Sequence, residues 1–255
     1  MKRKLVAVIA CRNNSLRLYA KPLQFLDTDS KITIIDCVID SLKKNNAISE
    51  IILAVSNNKD NLFYKLIAEK KGIKFFYGSD EDVLLRLIQG AKKTFATDVF
   101  RVTSESPFVS SEFINKYWNK HKKNNNDLTI YSNNIDGMGF EIFTKDALIK
   151  SHKLGKKKHR SELCDLYIRE NITNFKVSYN KNKFTNKKYR LTVDNPEDLI
   201  LCRKLFDFIK KYYPNFKIIK IVKFLKNKKN NDCIKLVNKF ISKSKTIDNL
   251  WSNVK

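Results

Sequence analysis

Short apolar runs rich in Val, Ile, Leu and Phe recur along the chain at residues 5–11, 50–56, 73–77, 98–102 and 127–130. Each of the first four is followed by an amphipathic stretch of helical length, near 33–45, 60–71, 80–95 and 110–123. Asp80 and Ser110 stand where the third and fourth of these helices would take their N-caps. Strand and helix in alternation predict an α/β fold with a largely parallel sheet and right-handed crossovers. Past residue 131 the pattern changes. "GFEIF" predicts a short strand, "TKDALIKS" and "SELCDLYIREN" helices, and "FKVSY" and "YRLTV" strands; "NPEDLILCRKLFDFIKKYY" predicts a long helix with Pro196 in its first turn. Residues 216–255 read as a lysine-rich helical tail lying on an α/β domain formed by residues 1–215. No internal repeat is present.

In a parallel α/β sheet, ligands bind beyond the carboxyl ends of the strands. The first strand therefore delivers "CRNNSLRLYAKPL" to the expected site, and the strand "DVFRV" delivers "TSESP" at 103–107.

Composition narrows the classes. At 255 residues the chain is long enough for one large core, and six glycines and four prolines argue against disorder. No apolar run approaches membrane-spanning length, and the N-terminal apolar run ends after seven positions without a small-residue cleavage site, so a cytoplasmic protein is expected. The five cysteines are isolated from one another and are expected as reduced core thiols. His121, His152 and His159 lie in lysine-rich surroundings without metal-ligand spacing and are expected to be solvated.

The net charge of +25 raises the question of a nucleic-acid partner. Only nine of the 51 basic residues are arginine, and the lysines travel with asparagine in runs such as "HKKNNND". No zinc-finger, RNP-type or basic-zipper pattern accompanies them. The charge reads as a spread-out Lys/Asn bias that attracts a small polyanionic substrate, not as a nucleic-acid reading face.

Candidate chemistry follows from the two strand-end loops. Arg12, Ser15, Arg17 and Lys21, with the backbone of Ala10 and Cys11 behind them, offer donors for phosphate oxygens. Neither a Walker loop nor a dinucleotide fingerprint is present, and solvated surface charge is the alternative reading. Glu105 and Asp194 each follow a strand, where two carboxylates from different strands can hold one Mg²⁺ together with substrate phosphates; each is equally readable as a helix N-cap.

The ordered series "CRNNSLRLYAKPL", "GSDEDVLLRLIQGAKK", "RVTSESPFV", "DGMGFEIFTKDAL", "SELCDLYIREN" and "YRLTVDNPEDL" resembles the spore-coat-polysaccharide type of cytidylyltransferase, within the acylneuraminate and deoxyoctulosonate cytidylyltransferase group. The resemblance spans essentially the whole chain. It implies a three-layer α/β/α, Rossmann-like nucleotide-diphospho-sugar transferase fold with a mixed, mostly parallel sheet. It further implies a homodimeric enzyme of cell-surface glycan biosynthesis that transfers CMP from CTP to a sugar-acid-like acceptor, with Mg²⁺ as cofactor and pyrophosphate as product.

By this resemblance Arg12, Ser15, Arg17 and Lys21 hold the triphosphate, with Arg12 and Lys21 joining Asp194 as catalytic groups. Glu105 and Asp194 hold the metal. Ser79, Asp82, Arg86 and Thr103 lie along the nucleotide, and Asp136, Glu141, His159 and Glu162 line the acceptor pocket. For Asp82 and Arg86 an i,i+4 pair beneath an Asp80 cap is the alternative, and for Glu141 and Glu162 a pair of surface acids. The chain departs from the family pattern at Asn14, Tyr19 and Ala20, where the loop has Gly, Pro and Gly; at Ser104 and Glu105, where it has Gly and Asp; and at Leu163, where it has His. These departures leave open a second reading, a nucleotide- or glycan-precursor-binding relative with impaired catalysis.

Overall fold

The computed structural model describes residues 3–132, 135–181 and 189–243. In chain order the strands are β1 (Leu5–Cys11), β2 (Phe25–Asp27), β3 (Ile32–Thr33), β4 (Glu50–Ser56), β5 (Lys74–Gly78), β6 (Asp98–Arg101), β7 (Leu128–Ser132), β8 (Ile135–Asp136), β9 (Phe140–Thr144), β10 (Val177–Lys181) and β11 (Tyr189–Arg190). The helices are α1 (Ile34–Lys43), α2 (Phe63–Lys71), α3 (Val83–Lys93), α4 (Ile114–Lys123), α5 (Lys145–Leu154), α6 (Leu166–Glu170), α7 (Pro196–Ile209), α8 (Ile218–Lys226) and α9 (Asn231–Lys243).

Seven strands form one sheet in the order β10-β7-β9-β6-β1-β4-β5, in which β9 alone runs antiparallel to both its neighbours. The sequence reading of a mixed, mostly parallel sheet agrees with this arrangement. β1 is flanked by β4 and β6, so the chain reverses its direction of travel across the sheet there, and the carboxyl end of β1 opens at the crevice where such sheets bind ligands.

β1 is buried on both faces, which its unbroken apolar run requires. Leu5, Ala7 and Ile9 pack under α1, α2 and α4, while Val6 and Val8 pack under α3 and α5. α3 lies so close to the sheet that a Cβ on Gly90 would meet Val8 Cγ1 at 2.6 Å. A third cluster joins Phe108, Met138, Leu191 and Val193, the residues beneath the expected site, to α7, α8 and α9. Among the described residues no helix is long and apolar enough to cross a membrane.

Several local expectations are corrected. Asp80 does not cap α3; Asp82 does, accepting a 2.8 Å bond from the Leu85 amide. Ser110 precedes a 3-10 turn without a side-chain cap, and α4 begins only at Ile114. The helix expected over "SELCDLYIREN" shrinks to α6, because Ser161 Oγ accepts the Leu163 amide at 3.3 Å and holds the segment in a turn. Two of the histidines expected to be solvated are buried, His121 between Thr129 and Asp98 and His159 against Glu170, whereas His152 stays partly exposed and binds Asp82 at 2.8 Å. Each ring is paired with a carboxylate. All five cysteines are free thiols, four of them buried and Cys233 partly so.

Candidate active site

Beyond Cys11 the chain leaves the sheet and is pinned at once. The Asn13 amide donates to Asn61 Oδ1 at 2.8 Å, and its side chain donates to the Asp60 carbonyl. Its own carbonyl accepts the Ala20 amide at 2.8 Å, which closes the loop on itself. Ala20 takes the left-handed conformation, φ 51° and ψ 42°, at a position where the resembled loop carries glycine. The 3-10 turn Lys21–Leu23 follows, with Pro22 as its second residue.

This closure sends the loop's cations in different directions. Arg12 is exposed and makes no side-chain hydrogen bond or ion pair among the described residues; Ser15 sits half-buried beside it. Lys21 is buried, with its Nζ 2.5 Å from Asp194 Oδ1, and Arg17, still 47% exposed, reaches the same oxygen at 3.1 Å. Leu16 and Tyr19 face solvent.

Asp194 arrives from the opposite side of the fold. The Val193 amide donates to the Glu105 carbonyl at 3.0 Å, stitching the segment after β11 to the loop after β6. That bond brings the Asp194 segment beside Glu105, whose carboxyl feels the Asp194 charge. Burial pushes the Glu105 carboxyl up, Asp194 adds to the rise, and Lys21 opposes it. Burial acts the same way on Asp194, but there Arg190, Lys21 and Arg17 prevail and hold the carboxyl below its ordinary value. Ser104 Oγ donates to Glu105 Oε2 at 2.8 Å, and Thr103 closes the turn through Ser106 Oγ at 2.5 Å.

Arg190 and Asp198 join the site without having been singled out in the sequence. Arg190 contacts Asp136, Asp194 and Asp198 at once. The available signal was the spacing of charge at 190, 194 and 198 across a strand, a turn and a helix start. Gly137, at φ +85°, lets the Asp136 loop lie directly on Leu191 and Thr192, where a Cβ would strike backbone.

The remaining predicted residues fall into three places. Arg86 lies under the loop, about 1% exposed, donating from one guanidinium nitrogen to the carbonyls of Cys11 at 3.0 Å and Ala54 at 3.2 Å. It does not pair with Asp82, which instead caps α3, with Ser79 Oγ accepting the Asp82 amide at 3.1 Å. Ala10 and Cys11 belong to the end of β1; the Cys11 thiol is buried and pushed up by burial. Glu141, on β9 beside β6, accepts from Arg101 at 3.2 Å, and Arg101 also donates to the Glu162 carbonyl at 2.7 Å. Glu141 is thus a partly buried acid whose carboxyl is pushed up by burial to about 7, whereas the Glu162 side chain is exposed. His159 commits one ring nitrogen to the Lys156 amide and the other to Glu170, both at 2.7 Å, so it is occupied holding a 3-10 turn.

Among the described residues no three His, Cys, Asp or Glu side chains gather as a ready-made metal site. Glu105, raised chiefly by burial and further by the Asp194 charge, forms with Asp194 a pair of acids that suits a hard divalent cation taking its other oxygens from phosphate and water.

Comparison with known proteins adds a family to this geometry. A family model described as cytidylyltransferase matches residues 6–237. An uncharacterized protein of Methanocaldococcus jannaschii is 33% identical over 227 residues, covering 87% of this chain and 90% of its own. The spore coat polysaccharide biosynthesis protein SpsF of Bacillus subtilis is 25% identical over 206 residues, 79% of this chain and 86% of its own. Among solved structures, a cytidylyltransferase from Leptospira borgpetersenii superposes with a TM-score of 0.81 at 23% identity, covering 91% of this chain and 97% of that one. CMP:2-keto-3-deoxy-manno-octonic acid synthetase complexed with CTP superposes with a TM-score of 0.64 at 14% identity, covering 80% of this chain and 98% of that one, a likeness of fold.

Proposed function

The chain belongs to the cytidylyltransferase family, and from that premise we propose that it transfers CMP from CTP to a sugar-acid or related anionic acceptor in cell-surface glycan biosynthesis. The observation that carries this reading is the convergence of Arg17 and Lys21 from the first strand-end loop on Asp194, with Glu105 held alongside through its backbone carbonyl and its carboxyl feeling the charges of Lys21 and Asp194. Cations from one strand end meeting carboxylates from two others is what binding a triphosphate with a divalent ion requires. The name of the B. subtilis relative supports the glycan pathway, and the CTP-bound structural neighbour supports the nucleotide.

On this reading Arg12, Arg17 and Lys21 bind the triphosphate, and Lys21 and Arg12 stabilise the negative charge that accumulates on pyrophosphate as it leaves. An acceptor oxygen forms a bond to the α-phosphorus, the α–β phosphoanhydride bond breaks, and the acceptor's proton passes to solvent. Glu105 and Asp194 would hold Mg²⁺, which neutralises phosphate charge when bound. The acceptor is assigned to the partly buried Arg101–Glu141 pair and to Asp136, in line with the family resemblance. Positioning and charge neutralisation suffice, with no covalent intermediate. The family resemblance is what supports a homodimer and a cytoplasmic location.

The test is pyrophosphate release from each of the four nucleoside triphosphates with Mg²⁺ and a panel of nonulosonic, deoxyoctulosonic and phosphorylated or phosphonate acceptors, with Asp194→Ala in parallel. Release specific to CTP and abolished in the variant is the expected outcome. Binding of CTP without turnover of any acceptor would favour the impaired, binding-only relative.

A further inference from the structure

We propose that Arg190 is a positioning residue for the transfer reaction, fixing Asp194 by one carboxylate oxygen so that the other faces the loop cations. The inference rests on the reading of Asp194 as a site residue. Arg190 is 6% exposed and pairs in register with Asp136 across β11 and β8. Each of its three guanidinium nitrogens goes to a different carboxylate: Nε to Asp198 Oδ1 at 3.1 Å, one terminal nitrogen to Asp136 at 2.7 Å, and the other to Asp194 Oδ2. Asp194 Oδ1 is left to Lys21 and Arg17. The Asp194 backbone is held by the same assembly, since its amide donates to Asp198 Oδ2 at 2.9 Å. Side chain and main chain of Asp194 are thus both tied to the Arg190–Asp198 unit, which leaves its carboxylate little rotational freedom.

Charge makes the arrangement self-consistent. Three cations, Arg17, Lys21 and Arg190, face three acids, Asp136, Asp194 and Asp198, and Arg190 provides the sole ion pairs of Asp136 and Asp198 among the described residues. Arg190 also ties the acceptor side, through Asp136, to the nucleotide side, through Asp194. A lysine has the charge but not the rigid planar fork, so it would satisfy one of these acids and release the others.

Arg190→Lys therefore separates charge from geometry. Its kcat should fall on the order of 10- to 100-fold with the KM for CTP within about threefold, because the loop cations still bind the triphosphate while Asp194 is no longer aimed. Circular dichroism and calorimetric CTP binding, measured on the same preparation, should show a folded, nucleotide-binding protein. If Arg190→Lys does not fold, the neutral pair Arg190→Gln with Asp198→Asn removes one charge of each sign and should fold with the same loss of kcat. A wild-type kcat in either folded variant would overturn the proposal, as would a loss of activity matched by an equal loss of CTP-binding protein. Asp194→Asn, assayed alongside, tests the underlying reading. If it retains full activity, the assignment of Asp194 fails; if it is inactive while Arg190→Lys is fully active, only the role of Arg190 fails.

Discussion

Lys21 Nζ lies 2.5 Å from Asp194 Oδ1, although 173 residues separate them in the chain. The contact is buried on the lysine side, where the side chain is 9% exposed, and Asp194 also keeps Arg190. Arg17 meets the same oxygen from a far more exposed position. The two cations are thus alike in reach and unlike in environment.

That difference predicts a split between stability and activity. Lys21→Met removes a charged hydrogen bond from a partly buried carboxylate and should cost about 1–3 kcal/mol of stability. Arg17→Met removes a solvent-screened pair and should cost no more than about 1 kcal/mol. Both should lower kcat/KM for CTP, by about 100-fold or more for Lys21→Met, since both cations are assigned to the phosphates. Chemical denaturation together with pyrophosphate-release kinetics checks this. Unaltered kinetics in both variants would remove the triphosphate from this loop.

Arg86 predicts a loss of stability. Its guanidinium is enclosed by β1, β4 and α3, and burial lowers its pKa; it persists because the carbonyls of Cys11 and Ala54 accept from it. Arg86→Met leaves those carbonyls without that donor at the base of the loop and should destabilise by about 2–4 kcal/mol, partly offset by sparing a charge its desolvation. A melting temperature lower by roughly 5–15 °C is the expected outcome, and an unchanged one would show that the carbonyls need no donor there.

How much of this could be read from sequence depended on how far each signal is local. β1 and β4 are built on unbroken runs of Val, Ile, Leu and Ala, Leu5–Ala10 and Ile51–Val55, and the structure places them where the runs lie. β2, β3 and β8 span only two or three residues each, too few to show a period. Glu105 was visible because it follows β6 and so lies at the sheet's carboxyl edge; Asp194 was visible as an acid after a strand, but that strand, β11, pairs only with β8 in a two-stranded ribbon, and the Val193–Glu105 bond is what brings its segment to the edge. Arg190 lies inside the apolar run "YRLTV" and looked like the polar member of a strand; its importance comes from Asp136 and Asp198, which only tertiary structure brings to it. The buried histidines were misread for the same reason. The lysines around His121 occupy one face of α4 while the histidine occupies the other, against Asp98.

The loop backbone gives a third prediction. Ala20 adopts a left-handed conformation at φ 51°, which disfavours a Cβ by about 1–2 kcal/mol. Ala20→Gly relieves this strain but loses a buried methyl and gains unfolded-state entropy, so its stability should stay within about 1 kcal/mol of the parent. Ala20→Val adds a β-branch to the same strained backbone and should lose at least about 2 kcal/mol. Equal stability of the two variants, measured by thermal unfolding, would mean that the loop leaves this conformation at no cost.

Glu141 makes stability depend on pH in a direction opposite to that of most carboxylates. Burial pushes its carboxyl from the usual 4.5 to about 7, with the Arg101 charge only partly opposing the rise. The folded protein therefore holds a proton at this site between about pH 4.5 and pH 7 that the unfolded chain has released, so the contribution of Glu141 is greatest below pH 4.5 and declines as pH rises through 7. A shift of this size corresponds to about 2–3 kcal/mol once some solvent exposure is allowed for. Glu141→Gln keeps the shape and removes the titration. The melting temperature of the parent minus that of Glu141→Gln should thus fall as pH is raised from 5 to 8, which isolates this carboxyl from Glu105, whose shift has the same sign and is present in both proteins. A difference that stays flat across the range would mean that Arg101 keeps Glu141 ionised throughout, so that the pair remains charged at every pH in the range.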